Sequence, residues 1–152
     1  MAYFFWHRFR LGECIMKAQK RIVTITDYNR LMDVVGPVEG RREVPLHIRQ
    51  LLKVLQEAEL VDQHAIKKHI VTMNSRTLLK SLSNGRQAEL TLTYPSDANP
   101  INSRISILSH IGVSLLGSKE GEIVTWQTPA GWGQFCVEEV VYQPEAAKEF
   151  QL

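Results

Sequence analysis

The residues best placed for chemistry lie in one short loop, Gly36-Pro37-Val38-Glu39-Gly40-Arg41-Arg42-Glu43. Glu39 and Glu43 offer the hard oxygen ligands a divalent cation needs to polarise water and phosphate. They are not adjacent, and Arg41 and Arg42 stand between them. Two guanidinium groups repel a cation and suit carboxylates or phosphates on a partner instead. The plainer reading of the same pair is a solvated loop tip. The five histidines, His7, His47, His64, His69 and His110, share no ligand spacing. His64 and His69 are five apart, not the i, i+4 of a helical zinc pair. No glycine loop that cradles phosphate and no nucleophile elbow is present. No catalytic residue, metal ligand or cofactor is expected.

Composition is ordinary for a soluble globular chain. The chain has 152 residues, 44% hydrophobic and 22% charged, enough for one domain or two small ones. A net charge of +2 is too weak for non-specific nucleic-acid binding, and sequence-specific nucleic-acid contact is not expected either. No apolar run approaches the roughly 18 residues of a membrane span. Two cysteines, Cys14 and Cys136, give no disulfide framework and point to a reducing cytoplasm. Residues 1–15 carry five aromatics with Arg8 and Arg10 behind most of them, the reverse of a signal peptide. They read as an extension or a start assigned ahead of Met16, with an amphipathic surface anchor as the alternative.

The elements that must position the loop follow from periodicity. Lys20 to Ile25 is a strand-like run, and Thr26 is a candidate N-cap with Asp27 in the first turn. Tyr28, Leu31, Met32 and Val35 form one helical face, closed by Gly36-Pro37. A second helix starts near Pro45, with Ile48, Leu51, Leu52, Leu55 and Ala58 as its apolar stripe. The two are expected to be antiparallel neighbours, either folded onto a core or projecting as an arm. Leu60 to Lys68 reads as a connector. Thereafter the period falls to two. Thr77–Leu82 and Ala88–Tyr94 form a hairpin about Asn84-Gly85. Pro95–Asn102 is a polar loop, and Ile105 and Ile107 begin another strand. Ser109 caps a short helix, Ile111–Leu116, closed by Gly117. Strands at Glu122–Thr128 and Gln134–Tyr142 flank a turn at Pro129–Gly133. Boundaries fall at 16–66 for the strand and helical hairpin and 67–152 for the strand-rich part.

The wording of the second half is more specific than its composition. VTMNS at Val71–Ser75, the Tyr94-Pro95 turn, the ISILSHIGVSLLG segment and YQPEAA at Tyr142–Ala147 occur in that order. This resembles the C-terminal domain of the Gre-type transcript cleavage factors, and most of all the type called regulator of nucleoside diphosphate kinase. The resemblance implies an α+β fold: a short N-terminal antiparallel helical hairpin, then an FK506-binding-protein-like domain of antiparallel strands around one short helix. It implies RNA polymerase as partner, at the rim of the secondary channel, and a cytoplasmic location. The link to nucleoside diphosphate kinase is implied by name and is expected to be indirect.

In the Gre factors, adjacent acidic residues at the tip of a long arm help hold magnesium for RNA cleavage. Here the tip has no adjacent acids and the helices are short, so transcript-cleavage stimulation is not expected. The Gre segment that precedes the short helix contacts polymerase and carries an Asp-Ser-Pro-like pattern. The matching residues are Leu108, Ser109 and His110, with the acid and the proline replaced. Asp97 and Asn99 in the preceding loop are further surface candidates. The rival functional classes are a prolyl isomerase, with Trp126, Trp132, Phe135 and Tyr142 around a substrate proline, and an adaptor for an unrelated protein.

Overall fold

A computed structural model of the chain describes residues 20–38 and 40–152. The extension at 1–15, Cys14 and Glu39 lie outside the described residues. The N-terminal part runs β1 (Ile22–Thr24), α1 (Ile25–Val35), a 3-10 turn at Gly36–Val38, α2 (Leu46–Glu57) and β2 (Glu59–Val61). The N-cap of α1 is Thr24, not Thr26. Thr24 is extended, and its hydroxyl accepts the Asp27 N–H at 3.1 Å. The helix starts early because Val23 and Thr24 are buried and held in β1, so the chain turns helical as soon as the strand ends. Thr26 sits inside the first turn, and its hydroxyl donates to Gln63.

The segment read as a connector holds β2. Ile22, Val23 and Thr24 pair in parallel with Glu59, Leu60 and Val61. A strand of three residues has too short an alternation to show a period of two. The parallel register brings the chain back beside β1 after two helices.

The second part is a five-stranded sheet ordered β5-β4-β3-β7-β6, from β3 (Arg76–Ser81), β4 (Gln87–Thr93), β5 (Arg104–Ser106), β6 (Ile123–Thr128) and β7 (Gly131–Tyr142). The expectation of antiparallel strands fails at one pair, since β4 and β5 run parallel. The loop at 95–103 turns the chain back far enough for Arg104–Ser106 to run alongside Thr91–Thr93, the last residues of β4, in the same direction. The last turn is also tighter than expected. Strand β7 starts at Gly131, leaving only Pro129 and Ala130 between strands. Gly131 has φ +112°, which a glycine accommodates without strain.

The short helix α3 (His110–Leu115) lies against β6, where the Ser114 hydroxyl donates to the Thr125 carbonyl at 2.9 Å. Leu31, Val35, Leu51 and Leu55 from α1 and α2 share one buried cluster with Leu79, Leu92, Val113, Leu115 and Val137. The helical pair therefore rests on the core of the sheet. Burying such side chains contributes about 2 kcal/mol each.

Candidate partner-binding surface

The segment from Ser106 to His110 joins the edge strand β5 to α3. Its shape is set by two serines. The Ser109 hydroxyl accepts the Gly112 N–H at 3.0 Å and donates to the Ser106 carbonyl at 2.6 Å. The Ser106 hydroxyl accepts the Leu108 N–H at 3.1 Å. Ser109 thus spends its hydrogen bonds within the chain. Leu108 is half-buried against the core, which makes it a packing residue. His110 is exposed.

His110 has a neighbour that sequence reading did not supply. The His47 ring, from the first turn of α2, lies 4.4 Å from it between ring centres, tilted by 49°. The spacing test applied to the histidines missed this because the two rings sit on different elements. Burial pushes the His47 pKa down, and His110 adds to that; a hydrogen bond to the Leu108 backbone opposes both. The pair connects the helical part to the segment before α3 on one surface.

Asp97 and Asn99 lie in the loop that closes over β5. This loop is two 3-10 turns, Pro95–Asp97 and Pro100–Asn102. Arg104 clamps it: Nε donates to the Asp97 carbonyl at 3.1 Å, and its backbone exchanges bonds of 2.9 and 3.0 Å with Asn99. The clamp occupies the open edge of β5, the part of a sheet most prone to unwanted pairing. Both candidate residues are exposed. Between them and the strand stands Ile101, which is 95% exposed. The loop read as polar in sequence, so this apolar apex was overlooked.

At the helical tip, Gly40 has φ +82° and the Arg41 N–H donates to the Val38 carbonyl at 3.2 Å. Arg41, Arg42 and Glu43 are exposed. Among the described residues none of the three forms an ion pair.

The motifs that carry the family resemblance lie mostly inside. Asp27 is 3% exposed. Its carboxylate accepts the Met73 N–H at 3.1 Å and the Tyr94 hydroxyl at 3.3 Å. Thr72 donates to Glu145 at 2.7 Å and contacts the Ser75 hydroxyl at 2.8 Å. The Gln143 side-chain amide donates to the carbonyls of Lys67 and Ile70, both at 2.8 Å. Asn74 has φ +64°, a left-handed conformation that asparagine tolerates better than most residues. VTMNS and YQPEAA therefore form one latch, closed by Asp27 from α1. Burial pushes the Asp27 carboxyl up to about 6, with Glu145 adding to the rise and the Met73 N–H opposing it. Burial likewise raises the Tyr94 phenol, with Asp27 next in importance.

An open cleft of about 1010 Å³ runs between the hairpin turn and β6–β7. Trp126 and Phe135 stack in it, 3.8 Å between ring centres and 4° from parallel. Gly133, opposite Trp126 in the register, leaves room for the Phe135 ring; a Cβ there would lie 2.6 Å from it. Trp132 lines the same cleft at 70% exposure, whereas Tyr142 is not part of the lining.

Residues 66–142 match the family described as transcription elongation factor, GreA/GreB, C-term. The chain belongs to this GreA/GreB family. The regulator of nucleoside diphosphate kinase of Escherichia coli (strain K12) is 34% identical over 99 residues, 64% of this chain and 73% of that protein. Transcription elongation factor GreA of Chloroherpeton thalassium is 37% identical over 93 residues, 61% of this chain and 59% of that protein. Among solved structures, the prokaryotic transcription elongation factor GreA/GreB from Nitrosomonas europaea superposes with a TM-score of 0.68 at 30% identity. It covers 82% of this chain and 99% of its own. The GreA/GreB match begins at Ile66 and closes at Tyr142, so α1, α2 and both short parallel strands precede it. The latch and the Ser106–His110 segment both involve residues within it. Among the described residues, no helix is long and apolar enough to cross a membrane.

Proposed function

We propose that this GreA/GreB-family chain binds RNA polymerase near the secondary-channel rim and regulates transcription elongation without stimulating transcript cleavage. The carrying observation is the helical tip. Helices of 11 and 12 residues are only about 16 to 18 Å long at 1.5 Å per residue. They rest on the core, and the loop between them presents Arg41 and Arg42. A cation-holding role needs paired oxygen ligands at the end of a reach. Docking falls to the strand-rich part, in the FK506-binding-like arrangement the resemblance implies, through His110 with His47 beside it and the Asp97–Asn99 loop. Cytoplasmic placement follows from that partner. The relative named for nucleoside diphosphate kinase supports at most an indirect connection to that enzyme, through transcription.

Two assays test this. Purified core polymerase should retain the chain at micromolar concentration, and a Gre factor should compete for the site. Backtracked complexes should show no RNA shortening beyond background. Failure to bind removes the polymerase reading; shortening that depends on Glu39 or Glu43 removes the non-cleaving one. The aromatic cleft supports prolyl isomerisation as a second reading, weakened because Tyr142 stands apart from it. Measuring isomerisation of a proline-containing peptide decides that case.

A further inference from the structure

The loop before α2 and the first two turns of that helix enclose a shallow cleft of about 690 Å³. Three guanidinium groups line it: Arg41 and Arg42 from the loop, and Arg49 from α2. Arg49 was not singled out by sequence, because it lies on the helix's polar face and seven residues beyond Arg42. Among the described residues none of the three forms an ion pair, and Glu43 is the one acid in the lining. Val44, Pro45 and Leu52 supply an apolar floor.

Unpaired like charges that share a cleft repel one another. An anion with several oxygens relieves that repulsion, and the planar fork of arginine matches phosphate oxygens two at a time. A single carboxylate would satisfy one fork; a chain of phosphoryl groups can engage three. Helix α2 begins beside the cleft with no acid in its first turn and no side-chain cap, which leaves the local field positive. We propose that this cleft binds an oligophosphate group, such as that of a small phosphorylated ligand. The inference does not rest on polymerase docking, since the chain alone should bind.

The test is titration of the full chain with sodium tripolyphosphate at low salt, followed by calorimetry and by backbone amide NMR. Saturable binding is expected, with the largest shifts at Arg41, Arg42, Leu46 and His47. The triple variant R41E/R42E/R49E should lose about tenfold or more in affinity, while R86E, on the β3–β4 turn, should not. Thermal unfolding checks that the triple variant folds, and the single changes R41Q and R42Q serve if it does not. Absence of saturable binding, shifts confined to another face, or equal affinity in the charge-reversed chain would overturn the proposal. So would a hexaglutamate peptide, or an RNA without terminal phosphate, binding these residues while tripolyphosphate does not.

Discussion

The Asp27 carboxylate accepts the backbone N–H of Met73 at 3.1 Å, across 46 residues of sequence. That bond, with the one from Tyr94, ties α1 to the opening motif of the GreA/GreB match. Burial makes this carboxyl resist ionisation although both bonds favour its charged form, and the stability of the fold acquires a pH dependence.

The sign follows from proton linkage. The Asp27 pKa in the folded chain is about 6, against an ordinary 3.8. The folded state binds the proton more tightly. Its contribution is fully present below the ordinary value and is lost as pH rises through about 6. Asp27→Asn keeps the shape and removes the titration. The stability difference, wild type minus variant, should fall by about 1.4 kcal/mol between roughly pH 5 and 7.5. Urea unfolding at both pH values measures it. The lowered pKa of His47 acts in the opposite direction, but it is common to both chains and cancels in the difference. Parallel pH profiles would show that Asp27 does not titrate as described.

Thr72→Val deletes the hydroxyl that donates to Glu145 and touches Ser75. Volume is nearly conserved, so the loss is of hydrogen bonding to a charged group, worth about 2 kcal/mol. Chemical denaturation should show that decrease, with a matching loss in Glu145→Gln and less than additive loss in the double variant. Full additivity would mean that the two side chains are not coupled.

Gly112→Ala tests the close approach of α3 to β5. An added Cβ would lie 2.3 Å from the Ser106 carbonyl oxygen and 2.8 Å from the Ile107 Cα. Both are backbone atoms, so the helix itself must move. A loss of about 3 kcal/mol is expected, together with altered NMR shifts through Leu108–His110. An unchanged melting temperature would contradict this packing.

Ser109→Ala and His110→Ala separate shape from contact on the proposed docking surface. Removing the Ser109 cap should cost about 1 kcal/mol and weaken polymerase retention by distorting the segment. His110→Ala leaves the Ser106 and Ser109 hydrogen bonds that shape the segment in place, and should weaken retention without loss of stability. Retention insensitive to both changes would move the docking surface elsewhere, with Ile101 the next residue to test.

Local patterns made much of this protein readable in advance. Helices α1 and α2 were legible because their apolar residues recur at steps of three and four, β4 because its apolar residues alternate, and β3 because the Asn84-Gly85 turn joins it to β4. Ser109 was legible as a cap because a serine ahead of a short apolar run has little else to do. The order of VTMNS, the Tyr94-Pro95 turn and YQPEAA pointed to the family. The tertiary structure alone decided what depends on distance in space rather than along the chain. It placed His47 against His110, added Arg49 to Arg41 and Arg42, and returned β2 alongside β1. It also revealed that VTMNS and YQPEAA serve each other across the interior, with Asp27 between them. Periodicity reports which face of an element is apolar; it carries no record of which other element that face meets. The meeting is settled by burial of the shared core, and the polar pairs follow from it.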